Sequence, residues 1–276
     1  MIAKVKPRYA APIKWHGGKH YLADRIIGLM PDHVHYVEPF FGGGAVLFRK
    51  PAAMVEQHSE VINDAYVELT NFWSVLRSQE LFESFRDQVS LVPFSKPEWE
   101  LACNCESCDP VEQAVAFFIR YRQSRQGLGR DFATMSRSRT RRGMNEQVSS
   151  WLSAIDGLEE AHKRLQRVVI YCEDAVSIIE KEDSPHSFFY CDPPYLSSTR
   201  VVSNAYNCEM DDASHGSLLD MLGQVEGKFA LSGYRSKLYD SAAARFGWNR
   251  TDIEIDNKAS GKKSKPKKIE SVWTNY

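Results

Sequence analysis

Apolar positions along this chain switch between a strand-like and a helix-like period, and the switches fall at glycines, prolines and acids. Leu22, Ile26, Ile27, Leu29 and Met30 predict a short amphipathic helix stopped by Pro31. Tyr36-Val37-Glu38-Pro39-Phe40-Phe41 predicts a strand that runs into Gly42-Gly43-Gly44, after which Ala45-Val46-Leu47-Phe48 turns helical. Glu60-Val61-Ile62-Asn63-Asp64 predicts a second strand with an acid at its end. Leu69, Phe72, Trp73, Leu76 and Leu81 predict one helix from Tyr66 to about Phe85. Helical patterns return at 111–119 and 154–165. Val168 to Cys172 predicts a core strand leading to Glu173-Asp174, and Ser187-Phe188-Phe189-Tyr190-Cys191 a buried one leading to Asp192. Then come a helix over 212–225, a strand at Phe229-Ala230-Leu231-Ser232 and a half-exposed, alternating strand at 251–256. Residues 269–276 can return antiparallel to that last strand, with a lysine-rich loop between them. No internal repeat is present.

Composition bounds the class more than the function. The 276 residues suffice for one large domain, or one domain with an insertion. Hydrophobic content of 43% with 26% charged residues is that of an ordinary globular protein, and no apolar run reaches membrane-spanning length. Residues Met1 to Pro7 lack the apolar core of a signal peptide. The six cysteines are too sparse for a disulfide scaffold, so a cytoplasmic setting is expected. Cys103, Cys105 and Cys108 lie close together, but a fourth metal ligand is missing nearby and His162 is far along the chain. No metal is expected.

Net charge is −1, yet the charges are unevenly spread. Arg120 to Arg142 holds eight arginines against one acid, Asp131, and Lys258 to Lys268 holds six lysines and no acid. A solvated face accounts for the lysines as well as a partner does. The arginines are interleaved with Tyr121, Gln123, Ser124, Gln126, Thr134, Ser136 and Ser138, short polar groups of the kind that contact phosphates and bases. Together with the change of character near residue 86, this predicts an inserted, mainly helical domain over 86–150 inside a discontinuous domain of 1–85 and 151–276. Arg122, Arg125 and Arg130 flank Gly127 and Gly129, where backbone can approach a nucleic acid, and are the candidates for base contact. Arg137, Arg139, Arg141 and Arg142 are the candidates for phosphate contact.

Asp192-Pro193-Pro194-Tyr195 carries the chemistry. An acid at the end of a buried strand points into the crevice where open α/β sheets bind ligands. The two prolines remove N–H donors and leave bare carbonyls beside a carboxylate and an aromatic ring. Such a set accepts both N–H bonds of an aromatic amine, favouring a pyramidal nitrogen with a more available lone pair, while the ring stacks on the base. A strand followed by a proline turn would explain the four letters alone equally well. The glycine loop after Phe41 is a nucleotide-binding device, though neither a dinucleotide fingerprint nor a P-loop, and Asp64 has the spacing of a ribose-binding acid. Gly17-Gly18, with Trp15 and Lys19 beside it, also lets backbone approach a ligand.

Taken together, Lys14-Trp15-His16-Gly17-Gly18-Lys19, Val37-Glu38-Pro39-Phe40-Phe41-Gly42-Gly43-Gly44, Asp64, Asp192-Pro193-Pro194-Tyr195 and Glu270-Ser271-Val272-Trp273-Thr274-Asn275-Tyr276 resemble the motifs of the Dam-like, class-alpha DNA adenine-N6 methyltransferases. The resemblance covers most of the chain and is weakest over 86–150. It implies an α/β fold: a doubly wound, mostly parallel Rossmann-like sheet with a terminal antiparallel strand, plus the inserted target-recognition domain. It implies S-adenosylmethionine as cofactor, contacted by Trp15, Lys19, Phe40, Gly42, Asp64, Asp174 and Asp192, and double-stranded DNA as substrate. It also implies a bacterial or phage-encoded cytoplasmic enzyme, with a restriction endonuclease encoded nearby as a candidate partner. The rivals are the same chemistry on RNA and a DNA-binding module with a silent site.

Overall fold

The computed structural model describes residues 10–51, 58–199, 208–255 and 268–276. In chain order the elements are α1 (Ala23–Leu29), β1 (His35–Glu38), α2 (Ala45–Arg49), β2 (Ser59–Asn63), α3 (Val67–Arg77), α4 (Gln79–Ser90), α5 (Lys96–Cys103), α6 (Pro110–Arg122), β3 (Thr140–Arg141), β4 (Met144–Asn145), α7 (Glu146–Asp156) and α8 (Leu158–Leu165). They continue with β5 (Val168–Tyr171), α9 (Ala175–Lys181), β6 (Ser187–Cys191), α10 (Asp212–Leu222), β7 (Lys228–Gly233), α11 (Lys237–Phe246), β8 (Asn249–Ile255) and β9 (Lys268–Thr274). The described residues divide into two compact units, one within Met1–Gly28, Gly42–Met54 and Tyr66–Cys172, the other within Leu29–Phe41, Val55–Ala65 and Glu173–Tyr276.

The first unit is helical and centred on α6, which packs on α3, α4 and α5. Asp109-Pro110 fixes the start of α6. The Asp109 carboxylate accepts from the Val111 and Glu112 N–H groups at 2.9 Å each, and proline fills the first turn, where no N–H is needed. The helix buries Val111, Ala114, Phe117, Phe118 and Tyr121, and its rings pack on Phe72, Phe85 and Trp151. The single helix expected over 66–85 is two. Ser78 adopts an extended conformation between α3 and α4, and its hydroxyl caps α4 through the Leu81 N–H. Residues 86–150, expected as an insertion, all lie within this unit.

The second unit is built on a mostly parallel sheet of six strands, side by side in the order β2-β1-β6-β7-β9-β8, one of them antiparallel; β5 belongs by chain to the first unit. β2, β1, β6 and β7 are parallel, with His35 opposite Ser59 and Ser187, and Cys191 opposite Leu231. β9 runs antiparallel to both its neighbours, from Ala230↔Thr274 to Gly233↔Ser271 on β7 and from Asn249↔Thr274 to Ile255↔Lys268 on β8. The antiparallel return expected from 269–276 is therefore present, and the last strand also inserts between β7 and β8. β6 is buried along its whole length, as a central strand covered on both faces must be. The strand expected at 168–172 is less of a core strand than its apolar run suggests, because Val168 is buried and Val169 faces solvent. The lysine cluster lies outside the described residues except for the backbone of Lys268.

Candidate active site

In the second unit the register of the parallel strands brings their carboxyl ends to the same end of the sheet, Glu38 opposite Ile62 on one side and Val37 opposite Phe189 on the other. Asn63, the last residue of β2, ties the segment after β1 to Glu173. Its amide donates to the Pro39 and Glu173 carbonyls at 3.0 Å each and accepts from the Glu173 N–H at 2.9 Å, while its backbone carbonyl receives the Phe41 N–H. Asn63 is buried, so its amide replaces water for backbone groups that would otherwise be stranded. It thereby fixes Phe40, Asp64 and Asp174 relative to one another. Phe40 and Asp64 are half-buried. Asp174 is exposed, and one carboxylate oxygen caps α9 through the Val176 and Ser177 N–H groups at 2.9 and 3.1 Å.

β6 delivers Asp192, half-buried, then Pro193, buried, and Pro194, half-buried. Tyr195 is buried, and its hydroxyl donates to the carboxylate of Glu270 on β9, itself only 1% exposed. The ring of Tyr234 meets Tyr195 edge-on, with centroids 4.7 Å apart. Alongside, Tyr190 and Ser232 share a hydrogen bond at 3.1 Å, and Tyr36 donates to Glu38 at 2.6 Å. Burial, followed by the charges of Asp192 and Glu270, holds the Tyr195 phenol well above its ordinary range. Burial and Asp192 do the same to Tyr190, so both phenols are protonated at neutral pH.

The first unit holds the remaining cofactor candidates. The indole of Trp15 stacks on Phe117 and lies 5.0 Å from Tyr121, and the glycine loop packs against it. A β-carbon on Gly42 would come within 2.8 Å of Trp15 Nε1, and one on Gly43 within 2.5 Å of Trp15 Cβ. Gly42 and Gly44 also have φ of +51° and +69°, which only glycine adopts freely. Trp73 donates its indole N–H to the Gly42 carbonyl at 3.1 Å. Lys19 is buried, with its ammonium on the Gly17 carbonyl at 2.9 Å. Lys14 donates to Gln147 at 3.0 Å; burial, then the charge of Arg122, pull its ammonium down to about 8.

The arginines divide by environment. Arg120, half-buried, is paired with Glu68, donates to Tyr66 and lies over the rings of Phe117 and Tyr121. Arg122 donates to the Ser150 carbonyl and is pulled down by burial to about 10. Arg142, with φ of +52°, reaches the Ser149 hydroxyl and carbonyl, both at 3.1 Å. Arg139 lies 3.7 Å from Glu146. Arg125, Arg130, Arg137, Arg139, Arg141 and Arg142 are exposed, Arg141 at the end of β3 and Arg142 in the turn of the β3–β4 hairpin.

Residues 15–253 match the family of D12 class N6 adenine-specific DNA methyltransferases. The chain belongs to that family. It is 27% identical over 215 residues to the type II methyltransferase M.MjaIII of Methanocaldococcus jannaschii, covering 69% of this chain and 71% of that one. It is 28% identical over 196 residues to the DNA adenine methylase of Salmonella typhi, covering 68% of this chain and 66% of that one. With the DNA N-6-adenine-methyltransferase of Escherichia phage P1 it shares 26% identity over 215 residues, 73% of this chain but 26% of the phage protein. Methyltransferases of this family move the methyl group of S-adenosylmethionine to adenine N6 in DNA, and the chain is an enzyme of this kind.

Each unit by itself carries groups that suit that cofactor: the second has the Asp64 carboxylate, for hydroxyl groups, and the Phe40 ring, and the first has the Trp15 ring beside a glycine loop without side chains. The methyltransferase motifs account for Asp192 to Tyr195 and for the glycine loop, but the reading of the sequence missed their supports. Asn63 is one, and its signal was a lone amide closing an apolar strand. Glu270 is another. Trp15, expected as a cofactor contact, also seats the glycine loop. Among the described residues no three His, Cys, Asp or Glu side chains gather as a metal site, and Cys103, Cys105 and Cys108 are free thiols.

Proposed function

We propose that Asp192 and the Pro193 carbonyl accept the two N–H bonds of the target adenine amine, and that the ring of Tyr195 holds the base. The observation that carries this reading is the placement of Asp192-Pro193-Pro194-Tyr195 directly after the fully buried β6. The bound cofactor supplies an electrophilic methyl on a sulfonium. Two acceptors on the amine draw its lone pair out of conjugation and leave it facing away from them, so rate is gained by orientation and fixed charge. Asp64 binds the ribose of the cofactor and Asp174 faces its adenine; Phe40 in the same unit, and Trp15, Lys19 and Gly42 in the first, are its further contact residues. Residues 86–150 serve as target-recognition domain on double-stranded DNA. Arg125, Arg130, Arg137, Arg139 and Arg141 are the exposed members that best carry DNA contact; Arg122 and Arg142 already hold Ser150 and Ser149 and reach DNA as braced groups.

The type II name of the Methanocaldococcus relative supports a restriction-linked role with an endonuclease encoded nearby. A DNA substrate and relatives from a bacterium and a phage support a cytoplasmic, bacterial or phage-encoded enzyme; among the described residues no helix is long and apolar enough to cross a membrane. The test is modified-base sequencing of DNA from cells expressing the chain or its Asp192→Ala variant. N6-methyladenine at one short motif, absent in the variant, is the expected result. Methylation of RNA but not duplex DNA by the purified protein would overturn the substrate.

A further inference from the structure

We infer that Glu270 is a positioning residue for methyl transfer, acting through the hydroxyl of Tyr195. The inference rests on the proposed contact between the Tyr195 ring and the target base. A tyrosine needs only its ring to stack, yet this one is anchored at its far end. Its hydroxyl donates to Glu270, a carboxylate that the structure buries to 1% exposure on β9, 75 residues away. Burying a carboxylate is costly unless it receives hydrogen bonds, so such a pair persists where it fixes a geometry. The second constraint is Tyr234, whose ring lies 71° from the plane of Tyr195. One contact holds the hydroxyl end and the other sets the ring plane. With the ring plane fixed, the base resting on it takes one orientation relative to Asp192, three residues earlier in the chain. The phenol stays protonated over the working pH range and so remains a donor.

Without the anchor, Tyr195 remains in its pocket but swings about its side-chain bonds. A displacement of about 1 Å at a reacting group can cost on the order of 100-fold in rate. The experiment uses the full chain and a duplex bearing its mapped methylation site, once with adenine and once with 2-aminopurine at the target. Three variants are compared with the wild type: Glu270→Leu, Glu270→Gln, which keeps an acceptor oxygen, and Tyr195→Phe, which keeps the ring. Single-turnover methylation is expected to fall about 10–100-fold in Glu270→Leu and Tyr195→Phe, with cofactor and DNA affinities unchanged, whereas Glu270→Gln stays within about threefold of wild type. The 2-aminopurine fluorescence, quenched where the flipped base stacks on the ring, should be brighter in Glu270→Leu and Tyr195→Phe than in wild type and Glu270→Gln. If Glu270→Leu does not fold, Tyr195→Phe decides alone, since it breaks the same hydrogen bond. Wild-type rate and fluorescence in Tyr195→Phe, or a Glu270→Gln variant as impaired as Tyr195→Phe, would overturn the inference while leaving the methyltransferase reading intact. A wild-type protein that methylates no DNA, so that no site can be mapped, would instead overturn that reading.

Discussion

Replacing Gly42 by alanine should destabilise the protein in two separable ways. Its φ of +51° imposes the left-handed strain of a β-carbon, about 1–2 kcal/mol for an L-residue. The new carbon would also stand 2.8 Å from Trp15 Nε1 and 3.1 Å from Cδ1. The indole cannot retreat easily, because Phe117 and Tyr121 lie against it. Overpacking of this kind typically costs about 1–3 kcal/mol. In a Trp15→Ala background the indole is gone and only the strain remains, so the two substitutions should couple by about 1–3 kcal/mol, well above the scatter of independent sites. Gly43 supplies an internal control. Its β-carbon would meet Trp15 Cβ at 2.5 Å, an atom that alanine retains, so Gly43→Ala should stay costly in both backgrounds. Urea unfolding of the cofactor-free variants, followed by circular dichroism because a tryptophan is removed, gives the four free energies of each cycle. Coupling below about 0.5 kcal/mol for the Gly42 pair would show that Trp15 is not what excludes a side chain there, and the packing account of the glycine loop would be wrong.

Asp192→Ala should fold like the wild type but lose about 10²–10³ or more in single-turnover methylation, since acceptor bonds strengthened in the transition state carry losses of that size; near-wild-type turnover would remove Asp192 from the chemistry. Asp64→Ala should weaken S-adenosylmethionine binding by calorimetry at least tenfold while gel-shift affinity for DNA changes little, because unpaired ribose hydroxyls cost about 1–3 kcal/mol; the reverse order would misplace Asp64. Lys14, lowered from 10.5 to about 8 by burial and Arg122, binds fewer protons folded than unfolded between those values. Stability should therefore rise with pH from about 8 to 10.5, relieving a penalty of roughly 3 kcal/mol that is full below that window. Lys14→Met should flatten that rise in urea titrations at several pH values, and parallel curves for variant and wild type would contradict the burial. Alanine at exposed Arg125, Arg130, Arg137, Arg139 or Arg141 should either reduce the salt slope of DNA binding by about one or cost about 1–3 kcal/mol with relaxed site preference. If all five leave both unchanged, DNA contact lies elsewhere.

What the chain determines by itself are the features whose causes lie within a few residues. The apolar run of β6 and the stiff Asp192-Pro193-Pro194 that follows it specify a buried strand with an acid at its end, whatever surrounds them. Asp109-Pro110 starts α6 because capping carboxylate and proline act within one helical turn. Ser78 shows the limit of such local reading: its capping bond spans only three residues, but an unbroken apolar pattern on both sides hid it. Tertiary structure decided what needs two distant segments at once. Asn63 holds Glu173 from 110 residues away, and Tyr195 finds Glu270 75 residues on. The β9 strand, last in the chain, lies between β7 and β8. A buried amide, carboxylate or phenol must find a hydrogen-bond partner, but its own sequence neighbourhood does not say which one. That choice is made by strand order and register, which set which polar groups meet at each depth of the core.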